Sequence, residues 1–189
     1  SLENRKIVIQ GYGRTGIHLA AMVRNDGAEI VIADIDPAKM EEAKADGYQT
    51  VDPAKVLAEP CDILAPCAVG AVITPENSEK LQCSIVAGSA NNQLLNDDDD
   101  IMLKKRDILF APDFIINSGG IIDVSEEYMG YRDIEHVGYK KEKVERKIGN
   151  IYDRLLEILE DAKKNDISNN RAAINYAQKR IDAVKHIRG

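Results

Sequence analysis

The feature of this sequence that most constrains its fold is a glycine cluster between a strand and a helix. Residues 6–10, KIVIQ, form a short apolar run rich in β-branched side chains, which predicts a strand. Gly11, Gly13 and Gly16 follow at once, and the next ten residues, IHLAAMVRND, show helical periodicity. Glycines at this spacing predict a turn whose backbone amides, at the helix start, can hold a diphosphate. An ordinary glycine-rich turn is the alternative.

An acidic residue after the second predicted strand strengthens the first interpretation. Residues 29–36, EIVIADID, read as a buried parallel strand, and Asp34 lies 18 residues beyond Gly16. A carboxylate there accepts hydrogen bonds from the hydroxyls of an adenosine ribose, and its charge would repel a 2′-phosphate, so NAD is favoured over NADP. Asp36 is the rival, although its place before Pro37 is typical of a helix cap. A methyltransferase that binds S-adenosylmethionine would also place an acid here, but the complete glycine pattern favours a diphosphate.

Strand and helix signals alternate along the first two thirds of the chain. Further strands are predicted at 49–51, 61–66, 84–90 and 107–112. This alternation predicts an α/β fold of the Rossmann type, with a doubly wound, mostly parallel, six-stranded sheet.

The character of the sequence changes after Gly120, because no further strand signal follows. From residue 141 onward, apolar residues recur at steps of three and four, which predicts amphipathic helices with a break at 165–170. We therefore expect a dinucleotide-binding domain over 1–140. The helices of 141–189 would form an extension that packs on that domain or on a catalytic domain outside this sequence.

Small and amide residues follow the last three predicted strands, at 65–68, 88–92 and 115–120. Because ligands of open α/β sheets lie beyond the carboxyl ends of the strands, these loops should converge on one rim. Asn91 and Asn117 could there hydrogen-bond a carboxamide, a ribose or a carboxylate, but an amide cannot act as a general acid or base. The alternative role for each is that of a turn or cap residue.

Composition excludes several classes of function. The net charge of −7 would repel a nucleic-acid backbone, and no apolar run is long enough to cross a bilayer, so neither partner is expected. Cys61, Cys67 and Cys83 lack metal-ligand spacing, and the acidic run 97–100 is better explained as a helix start than as a cation site. We expect no metal site and a soluble, cytoplasmic chain with reduced thiols. Its start at Ser1, just before a strand, suggests a piece of a longer protein.

Four blocks of the chain carry a more specific signal. They are CDILAPCAVGAVI (61–73), IVAGSANNQL (85–94), FAPDFIINSGGIIDVSEE (110–127) and IYDRLLEILE (151–160). With the glycine turn, they resemble the C-terminal half of the glutamate/leucine/phenylalanine/valine dehydrogenase family, most of all its leucine dehydrogenase branch. The resemblance runs from Leu2 to the last predicted helix, and it implies reversible, NAD-dependent oxidative deamination of an L-amino acid to a 2-oxo acid and ammonia.

The resemblance also implies roles for individual residues. It places Gly11, Gly13 and Gly16 at the diphosphate, Asp34 at the adenosine ribose, and Cys67, Ala68 and Asn117 at the nicotinamide side. Arg14 and Thr15, inside the same motif, are further candidates for cofactor binding. Asn91 would reach the substrate carboxylate or the nicotinamide. Ile121 and Val124 match positions that line the side-chain pocket, which implies a branched aliphatic substrate. Arg14 and Thr15 depart from the Asn-Val common in the family, and Arg14 could reach either a phosphate or solvent.

One difference from the family concerns the groups that carry out catalysis. The family performs its proton chemistry with two lysines and an aspartate of an N-terminal domain, one lysine lying in a GGGK-type stretch, and this chain has no such stretch. We therefore assign no catalytic residue and expect the isolated chain to be inactive. It would meet its amino-acid or 2-oxo-acid substrate through the missing domain, in a homo-oligomer. The alternative is a stand-alone NAD-binding or sensing module that acts on a partner protein through its helical tail.

Overall fold

A single parallel sheet forms the centre of the fold. The computed structural model describes residues 1–132 and 139–185. Its strands are β1 (Lys6–Gln10), β2 (Glu29–Ala33), β3 (Gln49–Thr50), β4 (Ile63–Pro66), β5 (Ile85–Val86) and β6 (Leu109–Phe110). They lie in the order β3-β2-β1-β4-β5-β6, and every neighbouring pair is parallel. The order reverses between β1 and β4, as in doubly wound dinucleotide-binding sheets, so the predicted fold class is confirmed.

Helices connect and cover these strands. They are α1 (Arg14–Asn25), α2 (Pro37–Ala45), α3 (Pro75–Ser78), α4 (Asp100–Lys105), α5 (Asp113–Ile116), α6 (Gly119–Arg132), α7 (Lys141–Lys164) and α8 (Asn169–Lys185), with a 3₁₀ turn at Pro53–Ala58. Asp36 caps α2, since its carboxylate accepts a 2.9 Å hydrogen bond from the amide of Ala38 and Pro37 opens the helix. The capping role predicted for Asp36 is confirmed.

Several strands are shorter than the sequence predicts. Strand β5 has only two residues, where the apolar run suggested 84–90. The chain leaves the sheet there because Gly88 crosses directly over Pro66: a Cβ on Gly88 would lie 2.1 Å from the carbonyl oxygen of Pro66. The amide of Ala90 then donates to that same carbonyl at 2.9 Å, which holds the following loop against the end of β4.

The segment 115–120 is not the simple loop that its small residues suggest. It contains the end of α5 and the start of α6, and only Asn117 and Ser118 lie between the two helices. The prediction of a loop is wrong here because paired glycines weaken the helix signal, although Gly119 and Gly120 form the first turn of α6. Asn117 ends α5, with its backbone amide donating to the carbonyl of Asp113 at 2.8 Å.

Apolar side chains are buried on both faces of the sheet, as a parallel sheet requires. On one face Ile7, Ile9 and Ile32 pack with Ala20 of α1 and Ala43 of α2. The opposite face carries a second cluster, whose members are Val8, Val31, Ala33, Val56, Leu64, Val72, Ile73, Leu81, Val86, Leu103, Ile108 and Phe110. These clusters fix the strand ends from which the loops of the upper rim emerge.

The last two helices dock on the β6 side of the sheet. A third apolar cluster joins them, formed by Ile158, Ala162, Ala172 and Ala173. Asp100 is buried and accepts a 2.8 Å hydrogen bond from the backbone amide of Asn170, in the first turn of α8. The acidic run therefore does open α4, as predicted, and also stabilises the start of α8. Within the described ranges, no helix is both long and apolar enough to span a bilayer.

Candidate functional site

The glycine turn between β1 and α1 has two crowded positions and one open position. Gly11 has φ +104°, and a Cβ there would lie 2.8 Å from the Cβ of Ala68. A Cβ on Gly16 would lie 2.0 Å from the carbonyl oxygen of Gly11, so helix and turn pack as closely as the sequence pattern predicts. Apart from the adjacent residues Tyr12 and Arg14, no described residue has an atom within 4 Å of a Cβ built on Gly13. Gly11 and Gly16 are thus needed for close packing, whereas Gly13 faces open space at the start of α1.

Tyr12, the residue between the first two glycines, fixes the turn to its surroundings. Its side chain is 1% exposed, and its hydroxyl donates a 2.7 Å hydrogen bond to Oδ2 of Asp46 at the end of α2. Its ring meets that of Tyr48 edge-on, with 5.9 Å between centroids. Burial, and then the hydrogen bond to the Asp46 carboxylate, raise the pKa of the Tyr12 phenol above its ordinary value. The glycine motif gives no signal for this residue, because it allows any side chain at that position.

Asp34 follows β2 and lies against the same turn. Its Oδ2 accepts a 2.6 Å hydrogen bond from the backbone amide of Tyr12, and its Oδ1 accepts one of 2.9 Å from the amide of Asp36. Asp36 directs its own carboxylate into the cap of α2. Of the two acids that compete for the ribose role, only Asp34 therefore contacts the glycine turn.

A small cavity of about 80 Å³ opens beside Asp34. It is lined by Gln10, Gly11, Ala33, Asp34, Ile35, Pro53, Val56, Ala68 and Val69. Two of the lining residues, Ile35 and Val69, are large apolar residues that are 89% and 65% exposed. Exposed apolar side chains that line a mainly apolar slot offer contact surface to a flat ring.

The two asparagines predicted to share a rim are in contact. The side-chain amide of Asn117, between α5 and α6, donates a 2.7 Å hydrogen bond to Oδ1 of Asn91 in the loop after β5. Cys67 and Ala68 follow β4 at the same end of the sheet, and the amide of Cys67 donates to the carbonyl of Gln10 at 2.7 Å. The structure thus gathers the loops after β4, β5 and β6 at the carboxyl ends of the strands.

The remaining candidate residues are exposed. Arg14 and Thr15 begin α1, and within the described part of the chain the Arg14 guanidinium has no hydrogen-bond or ion-pair partner. Ile121 and Val124 are three residues apart on α6 and are 68% and 58% exposed. Residues at this helical spacing share a face, so the two side chains form one apolar patch after Asn117.

This arrangement supplies groups that can bind a ligand. Free amides at a helix start, a carboxylate and two carboxamides supply hydrogen bonds to a charged, hydroxylated ligand. Over residues 1–132 and 139–185, no group of three or more His, Cys, Asp or Glu side chains is arranged to hold a metal ion.

Comparison with known proteins extends the resemblance. The sequence profile of the family described as "Glutamate/Leucine/Phenylalanine/Valine dehydrogenase" matches residues 32–189, and that of the TrkA-N domain matches residues 7–55. The chain is 38% identical over 189 residues to leucine dehydrogenase of Thermoactinomyces intermedius, which covers all of this chain and 50% of that protein. It is also 38% identical over 186 residues to L-tryptophan dehydrogenase of Nostoc punctiforme, covering 97% of this chain and 50% of that protein.

Solved structures show the same relationship. The crystal structure of L-tryptophan dehydrogenase from Nostoc punctiforme aligns with 96% of this chain and 53% of its own, with a TM-score of 0.87 and 38% identity. The hetero-hexameric glutamate dehydrogenase from Thermus thermophilus shares the fold, with a TM-score of 0.76 at 20% identity over 100% of this chain and 49% of its own. The chain spans about half the length of the curated relatives it matches.

Proposed function

This chain belongs to the glutamate/leucine/phenylalanine/valine dehydrogenase family, and from that premise we propose that it is the dinucleotide-binding half of an L-amino-acid dehydrogenase. The reaction is the reversible oxidative deamination of an L-amino acid to a 2-oxo acid and ammonia. The observation that carries the proposal is the open space above Gly13 beside the Asp34 carboxylate, in a chain related to leucine and tryptophan dehydrogenases.

The glycine turn fits a diphosphate. Because no described residue beyond the adjacent Tyr12 and Arg14 has an atom within 4 Å of a Cβ built on Gly13, a phosphate can approach the backbone there. The unpaired amides at the start of α1 and the positive end of its dipole favour an anion at this point. Arg14 and Thr15 begin the same helix, and the Arg14 guanidinium would add a positive charge near a phosphate bound there.

Asp34 favours NAD as the dinucleotide. Its carboxylate would accept hydrogen bonds from the hydroxyls of the adenosine ribose, and its negative charge would repel the 2′-phosphate of NADP. The adjacent slot, whose lining includes Ile35 and Val69, has the apolar character that an adenine ring requires. Asp34 already accepts the Tyr12 amide, so binding a ribose would use the remaining lone pairs of the carboxylate.

The loops after β4, β5 and β6 would hold the nicotinamide half. Cys67, Ala68 and Asn117 lie at that end of the sheet, and Asn117 positions Asn91 through their shared hydrogen bond. One amide can thus orient the other toward a carboxamide or a substrate carboxylate. When bound, NAD supplies the acceptor of the hydride that leaves the amino acid.

The apolar patch of Ile121 and Val124 would form part of the wall against the substrate side chain. Both side chains are exposed on α6, next to the Asn91–Asn117 pair in sequence and on the helix that follows it. A branched aliphatic amino acid is the substrate class that suits such a wall. The remaining walls would come from a second domain, since relatives at 38% identity are twice as long as the aligned region.

Deprotonation of the attacking water and stabilisation of the imine require groups of suitable pKa in the cleft. The family resemblance assigns these groups to a GGGK-type stretch and its neighbours in an N-terminal domain, and this sequence contains no such stretch. We therefore expect residues 1–140 to bind NAD and the helices of 141–189 to extend toward that second domain, without turnover by this chain alone.

Calorimetry with NAD, NADP and adenosine diphosphate tests the binding function. NAD should bind more tightly than NADP, and adenosine diphosphate should retain part of the affinity because it carries the groups recognised by the glycine turn and Asp34. No heat with any of the three, while circular dichroism shows folded protein, would contradict the proposal. An assay for NADH with leucine, valine, phenylalanine and glutamate should be negative, and steady turnover would show that no further domain is needed.

A second candidate is a stand-alone NAD-binding or sensing module that acts on a partner. Ile148, Tyr152 and Leu156 recur every four residues on α7 and are 40%, 66% and 41% exposed, which leaves an apolar face for another protein surface. The dehydrogenase proposal assigns that face to a second domain or to a homo-oligomer. Sedimentation analysis separates the two, because only a sensing module should change its association state when NAD is added.

A further inference from the structure

Two of the three cysteines face each other at the end of the sheet away from the glycine turn. Strands β4 and β5 pair with Ile63 opposite Ile85 and Leu64 opposite Val86. Counting back along both strands in this register places Cys61 opposite Cys83. The backbone supports that extension, since the amide of Cys61 donates a 3.0 Å hydrogen bond to the carbonyl of Gln82. The two cysteines are therefore cross-strand neighbours, although they are 22 positions apart in sequence.

This placement suits a covalent bridge. Neighbouring strands lie about 4.8 Å apart, and disulfides join residues whose Cα atoms are about 4.4–6.8 Å apart. Both side chains pack against the same apolar cluster, so they project from the same face of the sheet. Neither is fully buried, and the flanking residues Gln82 and Ser84 are exposed, which gives a small reagent access.

The two thiols are chemically unequal. The hydrogen bond from the Cys61 thiol lowers the pKa of Cys83, and the backbone amides of Leu64 and Ile85 and the charge of Arg106 act in the same direction, against the opposing effect of burial. The same contact with Cys83, followed by burial, raises the pKa of Cys61. Cys83 is thus the thiol that ionises first and Cys61 the one that follows.

We propose that Cys61 and Cys83 form a dithiol site that is oxidised to a disulfide by a low-molecular-weight disulfide. The Cys83 thiolate attacks one sulfur of the reagent, forms a mixed disulfide and expels the other half as a thiolate. Cys61, once deprotonated, then attacks the Cys83 sulfur and expels the second half. The two protein thiols are oxidised to one disulfide, the reagent is reduced to two thiols, and the two protons released by the protein are taken up by the expelled thiolates.

Cys67 provides an internal control. It follows β4 at the opposite end, six positions beyond Cys61. At about 3.3 Å per residue, some 20 Å of strand separate the two. A reaction that depends on the register of β4 and β5 should therefore exclude Cys67, whereas random oxidation of exposed thiols should not.

Oxidised glutathione, followed by alkylation, trypsin and mass spectrometry without reduction, tests the site. Cleavage after Lys55, Lys80 and Lys104 puts Cys61 and Cys67 in one peptide and Cys83 in the next. The folded protein and its Cys67→Ser variant should both yield these peptides joined by a disulfide. The Cys61→Ser variant should instead keep glutathione on Cys83, whereas Cys83→Ser should carry little glutathione on Cys61.

Several results would overturn the proposal. Recovery of Cys61 and Cys83 as alkylated thiols after exposure to an excess of oxidised glutathione would do so, with circular dichroism showing that the protein is folded. Loss of the crosslink in Cys67→Ser would assign the bridge to Cys67. Equal crosslinking in urea-unfolded protein would show that the strand register contributes nothing to the reaction. Dinucleotide binding is not part of this test, so its outcome is independent of the proposed function.

Discussion

The backbone amide of Tyr12 donates a 2.6 Å hydrogen bond to the carboxylate of Asp34, which ties the turn after β1 to the end of β2. The phenol of the same residue holds Asp46 at 2.7 Å, at the far end of α2. One residue of the glycine turn thus fixes its position relative to two other elements. The chain's own hydrogen bonds thus hold the turn and the acid together, an arrangement that would reduce the ordering cost of binding at the proposed site.

Replacement of Asp34 by alanine should weaken NAD binding by about 1–3 kcal/mol, the range for leaving a hydrogen-bonding partner unsatisfied. Isothermal titration measures the loss. Asp36→Ala is the matched control, since that carboxylate caps α2 and should affect stability rather than NAD affinity. The ribose role of Asp34 would be wrong if the Asp36 variant lost the affinity and the Asp34 variant kept it.

The glycines should separate binding from folding. Gly13→Val should abolish NAD binding with little effect on the thermal midpoint, because its side chain enters open space that the diphosphate requires. Gly16→Ala should instead lower the thermal midpoint, because its Cβ would fall 2.0 Å from the Gly11 carbonyl oxygen. Differential scanning fluorimetry with and without NAD distinguishes the two effects. A Gly13→Val protein that still binds NAD would exclude the proposed diphosphate position.

Tyr12→Phe should lower the free energy of unfolding by about 1 kcal/mol at neutral pH, through loss of the hydrogen bond to Asp46. The raised pKa of the folded phenol adds a pH dependence. Above the ordinary tyrosine pKa of 10.0 the unfolded state loses this proton while the folded state keeps it, so stability falls as the pH rises. Urea titrations at neutral pH and at pH values above 10 measure the free energy of unfolding. It should decline less with rising pH in Tyr12→Phe than in the unmodified chain. An equal decline of the free energy of unfolding in both proteins would contradict a raised pKa of the Tyr12 phenol.

Asp100 should tolerate asparagine better than alanine. Burial raises the pKa of its carboxyl above the ordinary 3.8, so the folded state holds this proton more tightly than the unfolded state and the free energy of unfolding falls as the pH rises from 3.8 toward the folded pKa. Asp100→Asn keeps an oxygen for the Asn170 amide without a buried charge, and its free energy of unfolding at pH 7 should equal or exceed that of the unmodified chain. Asp100→Ala removes the acceptor and should cost about 1 kcal/mol. Equal losses in urea titrations of both variants would show that the charge itself is needed.

The order of strands in the chain and the position of the glycine turn could be predicted from the sequence. Continuous β-branched runs identified β1 and β2, and Asp36 before Pro37 marked the start of α2, because these signals are local. The lengths of β5 and β6 were overestimated, since the point where β5 ends depends on the close contact of Gly88 with Pro66 across the sheet. Helix α6 was missed because it begins with two glycines, which have low helix propensity.

Some contacts of the candidate site could not be predicted from the sequence, because they join residues that lie far apart along the chain. The sequence suggested that Asn91 and Asn117 share a rim, but their direct hydrogen bond depends on the placement of α5. Tyr12 gave no signal, because its partner Asp46 lies 34 positions away. The acidic run was correctly assigned to the start of α4, whereas the contact of Asp100 with α8 joins residues 70 positions apart.

The docking of α8 has a consequence for how the chain behaves in concentrated solution. Strand β6 is the last strand of the sheet, and the amides of Leu109 and Ala111 pair inward with β5, so the Phe110 carbonyl points outward. Asn169 covers it, donating a 2.8 Å hydrogen bond from its side-chain amide. An uncovered outer strand is a template on which foreign strands add and fibrils begin. Helix α8 thus occupies a backbone acceptor that an added strand would otherwise use.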